Sequence, residues 1–127
     1  MAQMEVLKQT LNENNDLELA ILIGSRANST AGSESDWDIA IQWQRNLAEM
    51  SKLAQTEKLR NQISKTLKIT DNKIDFIDIP AAGLAMRDEI ANRGIILKGE
   101  NTLALSHFLT RTWRQLEEYY WDKIYAA

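Results

Sequence analysis

The sequence predicts a mixed α/β domain, a small sheet flanked by helices with a long helix at the C-terminal end. Three observations carry that expectation. Short apolar runs of strand length alternate with segments of helical periodicity. The loop between the first two strands is too short for a crossover helix, so that pair is expected to be antiparallel and an all-parallel sheet is disfavoured. Residues 101–127 hold one continuous helical pattern.

In chain order, Met4, Leu7 and Leu11 recur at helical spacing until Asn14 and Asn15, which predicts a first helix over 3–14. "LELAILIG" (17–24) is an apolar run closed by glycine and reads as a buried strand. "SRANSTAGSES" is a small, polar loop with room for one helical turn at its start. "DWDIAIQW" (36–43) is a second strand, with Asp36, Asp38, Ala40 and Gln42 on one face and Trp37, Ile39, Ile41 and Trp43 on the other. Residues 47–67 repeat Leu59, Ile63 and Leu67 along one helical stripe. "NKIDFIDI" (72–79) is a third strand ending at Pro80. A helix closed by Gly94 follows, then a short strand, "IILKG".

In the last helix, Leu105, Phe108, Leu109, Trp113, Leu116, Tyr120 and Ile124 share a broad face suited to packing on the domain. Leu103, Trp121 and Tyr125 fall outside it. Residues 1–100 are therefore expected to form the domain and 101–127 a helix that packs on it and contributes a partner surface, since Trp and Tyr are enriched where binding energy concentrates.

Composition narrows the function. The chain has 127 residues, 44% of them hydrophobic, enough for one domain with one ordinary core. Its formal net charge of -3 argues against a broadly basic surface for nucleic acid, so no direct nucleic-acid binding is expected. It has no cysteine, which excludes disulfides and thiolate metal sites. No apolar run approaches the roughly 18 residues of a membrane span, and the N-terminal residues lack a signal-peptide core, so a soluble, cytoplasmic protein without membrane contact is expected.

The chemistry concentrates in 21–43. Asp36 and Asp38 stand two apart on one strand face, their Cα atoms about 6.5–7 Å apart. Burying both without a counter-charge would cost several kcal/mol. Oxygen-only ligands suit a hard cation such as Mg²⁺. Zinc fits poorly, because the only histidine is His107 in the last helix. Gly24 and Ser25 end the first strand at a turn whose backbone N–H groups point outward, a ready anion site that Gly24 lets a phosphate approach closely. Ser25 adds a donor and Arg26 a charge. A phosphate cradle beside paired carboxylates describes a nucleoside-triphosphate site, and no GxxxxGK[ST] P-loop is present.

Gly24-Ser25, ten intervening residues, then Asp36-Trp37-Asp38 resembles the signature of the DNA polymerase β-like nucleotidyltransferase superfamily. The short length, "GSRA" and the "IDFIDI" strand are similar to its minimal nucleotidyltransferase branch, over roughly residues 1–100. The resemblance implies that the Gly24-Ser25 segment, with Arg26, holds the triphosphate. It also implies that Asp36, Asp38 and a third carboxylate on a later strand bind two Mg²⁺ ions. Asp75 and Asp78 both lie in that strand on opposite faces, and the family's placement of the residue early in the strand selects Asp75.

Among such enzymes the chain is similar to the antitoxins of HEPN/MNT toxin–antitoxin pairs. That likeness implies transfer of AMP from ATP to a tyrosine of a partner HEPN-family toxin, a ribonuclease, within a hetero-oligomer. The alternatives are a non-catalytic module that masks a toxin and a small-molecule nucleotidyltransferase of the aminoglycoside type. An intact set of paired carboxylates favours an enzyme over a scaffold.

Overall fold

The computed structural model describes residues 2–32 and 34–125; Met1, Ser33 of the polar loop and the last two residues of the expected final helix lie outside the described residues. The element order is α1 (Ala2–Asn12), β1 (Leu17–Ile23), a 3-10 turn (Gly24–Arg26), β2 (Trp37–Trp43), α2 (Glu49–Leu67), β3 (Ile74–Asp78), α3 (Leu84–Arg93), β4 (Ile95–Lys98) and α4 (Leu103–Tyr125). The four strands form one sheet in the order β3-β2-β1-β4. β1 pairs antiparallel with both β2 and β4. β2 and β3, separated in sequence by α2, run parallel. The fold is the mixed α/β arrangement expected from the sequence.

Each face of the sheet carries its own core. On one side Trp37, Ile39, Ile41 and Trp43 of β2 pack with Leu7 and Leu11 of α1 and Leu59, Ile63 and Leu67 of α2. On the other, Ile21 and Ile23 of β1 and Ala40 of β2 pack with Ile90 of α3 and Leu105 and Phe108 of α4. The period-2 alternation of β2 thus divides its side chains between two helical layers. Alternation fails once in β1, where the register shifts between Leu17 and Leu19, so that Leu17 faces the α1/α2 layer and Leu19 the α3/α4 layer. Two residues of β1 there oppose one of β2, the signature of a β-bulge.

Arg60 of α2 fixes β3. It donates to the Ile74 carbonyl, and its guanidinium carbon lies 5.1 Å from the centre of the Phe76 ring. That contact anchors the strand carrying Asp75.

Two helix ends differ from expectation. Gly94 closes α3 in extended backbone (φ -75°), not in the left-handed cap that a terminal glycine suggests. Its place is dictated by crowding, because a Cβ there would collide with Ile21 Cγ2 and fall 2.6 Å from the Ile90 carbonyl oxygen. The left-handed cap occurs instead at Lys68 (φ 58°), which ends α2.

α4 departs further. Its first half packs as expected, with Leu105 and Phe108 buried. From Trp113 onward the stripe assigned to the core is uncovered except at half-buried Leu116: Trp113 is 49% exposed, Tyr120 56% and Ile124 70%. Trp121 and Tyr125 stand beside them, stacked with ring centroids 4.5 Å apart. A helical wheel shows which residues share a face; it does not show where the neighbouring layer stops.

Gly94→Ala forces Ile21 or the end of α3 to shift, and overpacking of this kind costs about 1–3 kcal/mol. Urea denaturation of the variant is expected to show a lower midpoint with an unchanged slope. An unaltered midpoint would show that the contact between α3 and β1 is loose.

Candidate active site

β1 ends at Ile23, which is paired with Asp38 in β2. The chain then turns at Gly24 with φ +76°, a conformation that glycine adopts without steric cost. The reason for glycine is also spatial, since a Cβ at residue 24 would lie 2.6 Å from Asp38 Oδ2. The Asp38 carboxylate rests directly against the bare Cα of Gly24. The N–H groups of Ala27 and Asn28 close the turn by bonding the Gly24 carbonyl at 3.0 and 3.2 Å. The first N–H groups of such a turn are not consumed by its own ladder.

β3 supplies the next carboxylate. The parallel register sets Asp75 opposite Asp38 on the neighbouring strand, so both side chains leave the same sheet face. Asp78, three residues on, faces α2. There burial raises its pKa, Lys52 pulls it down and Glu49 adds to the rise. Asp78 is therefore separated by the sheet from the carboxylates of the motif. Asp36 lies just before β2, exposed, two residues from Asp38.

Gly24, Asp38 and Asp75 line one open cleft of about 540 Å³ with Ile77 of β3 and with Met86 and Glu89 of α3. Met86 and Glu89 were not singled out from sequence. α3 reads there only as an amphipathic helix, and their place beside the carboxylates comes from the packing of α3 on the sheet.

The electrostatics of the cleft are unbalanced. Asp38 has its pKa pushed above the ordinary carboxylate value, first by burial, then by Asp75, then by Asp36. Among the described residues no cationic side chain forms an ion pair with Asp36, Asp38 or Asp75. The donor set is oxygen-only and the charge is uncompensated, so these three carboxylates fit a hard divalent cation. As they stand, no three metal-ligating side chains among the described residues converge into a ready-made cluster. Asp36 and Asp75 are both exposed, and Asp38 between them is half-buried.

Arg26 is placed elsewhere. Its Nη2 donates to the Ser35 carbonyl at 2.8 Å, and the guanidinium carbon sits 4.4 Å from the centre of the Trp37 ring. Trp37 belongs to the α1/α2 layer, so Arg26 braces the loop on the face opposite Asp38 and does not line the carboxylate cleft. The sequence-based expectation put its charge on the phosphates; here the cation–π contact and the loop carbonyl hold it. His107 lies in a different cleft, with Arg45, Lys52 and Arg111.

The raised pKa of Asp38 has a definite sign for stability. A carboxyl group raised in the fold favours folding fully below its unfolded pKa of about 3.9, and that contribution is lost as pH rises through the folded value. At neutral pH the ionised Asp38 is a cost. Asp38→Asn is therefore expected to stabilise the metal-free chain at neutral pH, with the gain shrinking as pH falls toward about 4. Denaturation midpoints of both proteins at the two pH values check this; a variant less stable at neutral pH would contradict the uncompensated charge.

Comparison with known proteins bears on the fold. One chain of a toxin–antitoxin crystal structure with AMP-PNP superposes with a TM-score of 0.68 at 21% identity, over 91% of this chain and 87% of that one. A chain from the tri-AMPylated Shewanella oneidensis HEPN toxin in complex with its MNT antitoxin gives 0.63 at 18% identity, over 92% and 86%. One from the toxin–antitoxin MntA–HepT gives 0.62 at 19%, over 92% and 86%. At these identities the likeness is one of fold. No curated protein matches the sequence. The family model described as polymerase beta, nucleotidyltransferase, matches residues 5–103, the span that holds the whole sheet and the carboxylate cleft. The chain belongs to the polymerase beta nucleotidyltransferase family.

Proposed function

We propose that this nucleotidyltransferase is a protein adenylyltransferase that moves AMP from ATP to a tyrosine hydroxyl of a partner HEPN-family ribonuclease toxin, and so acts as its antitoxin. The observation that carries the reading is the packing of Asp38 against Gly24 and beside Asp75 in one cleft. The turn brings phosphate-binding backbone to a set of carboxylates that lacks only its counter-charge. The neighbouring folds come from toxin–antitoxin complexes, one with AMP-PNP and one whose toxin is AMPylated, and they support the same direction.

In this reading the backbone at Gly24 and Ser25, with the Ser25 hydroxyl, holds the triphosphate. Asp36, Asp38 and Asp75 would hold two Mg²⁺ ions, which when bound neutralise phosphate charge and lower the pKa of the acceptor hydroxyl. The tyrosine oxygen attacks the α-phosphorus in line, the bond to the β-phosphate bridging oxygen breaks, and pyrophosphate leaves with that electron pair. The phenolic proton passes to Asp75, the exposed carboxylate of the cleft. The protein contributes position and charge rather than a covalent intermediate.

A protein acceptor is favoured by α4. Its last three turns carry Trp113, Tyr120, Trp121, Ile124 and Tyr125 into solvent. A helical stretch of that length is marginal in water without packing, and a contiguous aromatic surface is characteristic of a protein interface. We assign this surface to the docked toxin.

Mass spectrometry of the copurified partner after incubation with ATP and Mg²⁺ is expected to show added AMP (one or more groups) on tyrosine. Asp36→Ala or Asp38→Ala is expected to abolish the addition while the fold persists. Ser25→Ala loses one hydrogen bond to a charged phosphate, worth roughly 1.5–3 kcal/mol or about 10- to 150-fold in rate. Transfer at the wild-type rate in either aspartate variant would sink the reading.

Trp121→Ala with Tyr125→Ala is expected to weaken partner binding by about 2 kcal/mol or more. The melting temperature of the isolated chain should barely move, because both rings are more than half exposed (53% and 68%). Unchanged affinity in a titration with the partner would move the docking surface elsewhere.

A further inference from the structure

Asp38, near the start of β2, lines the carboxylate cleft. Gln42, four residues and about 13 Å further along the strand, lines a second cleft of about 520 Å³ that shares no residue with the first. Basic side chains reach this second cleft from three directions. Arg45 comes from the segment after β2, Lys52 from the first turn of α2, and His107 and Arg111, four residues apart, from one side of α4.

The protein does not supply the balancing charge. Glu18, the carboxylate in the lining, accepts a hydrogen bond from Gln42 at 3.1 Å. Lys52 is paired with Glu49 at 3.2 Å and also acts on Asp78. Among the described residues Arg45, His107 and Arg111 form no ion pair. A further guanidinium stands close to Arg111. Arg87 of α3 is only 9% exposed; its Nε donates to the Ala82 carbonyl at 3.2 Å, and its buried Nη1 has no partner among the described residues. Burial first, and then the Arg111 charge, push its pKa below the usual guanidinium value. A chain with a formal net charge of -3 thus sets two guanidinium groups within Coulomb range of each other and pairs neither with a carboxylate. An anion against Arg111 offsets that repulsion.

We propose that this cleft binds the phosphate group of a small molecule. The unpaired charge exceeds one, which suits a phosphate better than a single carboxylate, and a guanidinium fork matches phosphate oxygens. The first turns of α2 and α4 both reach the cleft, at Lys52 and at Leu103 and Ala104, so two helices add their positive ends to it. The volume is that of a small-molecule site. The basic groups are confined to one cleft and do not form the track that a nucleic-acid backbone needs. Free phosphate and a nucleoside monophosphate share this chemistry, and only the second would use the apolar lining at Pro80 and Leu103.

His107 is the only histidine of the chain, so its imidazole proton resonance reports on this cleft alone. The untagged chain, in EDTA at constant pH and ionic strength, is titrated with inorganic phosphate and separately with AMP. The expected result is a saturable shift of the His107 resonance, half complete at about 1 mM or below, with affinity reduced about tenfold or more in Arg111→Gln. Arg93→Gln removes the same charge from an exposed position outside the cleft and should leave the curve unchanged. Half-saturation at a lower concentration of AMP than of phosphate assigns the cleft to a nucleotide; half-saturation by AMP at the same or a higher concentration assigns it to free phosphate. No shift, a shift that grows without saturating, or equal weakening by Arg111→Gln and Arg93→Gln overturns the proposal and leaves these cations as an ordinary solvated face. Each of these results leaves the adenylyl-transfer reading as it stands, because the two clefts have no residue in common.

Discussion

The structure turns on the contact between the Asp38 carboxylate and the bare Cα of Gly24. Only glycine allows it, because any Cβ at residue 24 would meet Asp38 Oδ2 at 2.6 Å. The contact exists because β1 and β2 are antiparallel with Ile23 opposite Asp38. It becomes a site because the parallel partner strand puts Asp75 next to Asp38. Two pairings of opposite sense, on the two edges of one central strand, thus bring a glycine turn and a pair of carboxylates into one cleft. The rest of the domain holds those pairings in register through an apolar layer on each face.

That arrangement is bought at a cost in stability. Asp38 is partly buried beside two other carboxylates, and its pKa is raised for that reason. Natural chains accept such local conflict where function needs it. The nearby arginines lie on the other side of the sheet, where Arg26 and Arg60 donate to the Ser35 and Ile74 carbonyls. Positive charge is kept out of the cleft by construction, which leaves it open to a diffusible cation.

Much of this was legible in the sequence, for physical reasons. Every strand and helix could be placed from periodicity because the chain is two-layered on a central sheet, so burial imposes a clean period on each element. The antiparallel start followed from loop length. Gly24, Ser25, Asp36 and Asp38 stood out because residues of high cost sat in an apolar run at a recognisable spacing. The remainder depended on tertiary placement. Alternation puts Asp75 and Asp78 on opposite faces, but only the β2–β3 register shows that the face of Asp75 is the one Asp38 occupies. Arg26 is adjacent to the phosphate turn in sequence, yet the Trp37 ring draws it to the other layer. Met86 and Glu89 carry no local signal, and the uncovered half of α4 has the same apolar stripe as the covered half. Gly94 ends α3 as expected, but in extended backbone, and it is crowding against Ile21 that requires glycine there.

The central claim is that the cleft between Gly24, Asp38 and Asp75 binds a nucleoside triphosphate together with divalent metal, each supplying the charge the other lacks. Calorimetric titration of ATP into the wild-type chain, once with Mg²⁺ and once with EDTA, addresses it most directly. The account predicts saturable binding with Mg²⁺ and its loss, or a drop of at least about tenfold in affinity, in EDTA. Equal ATP affinity under both conditions, or no binding under either, would contradict it.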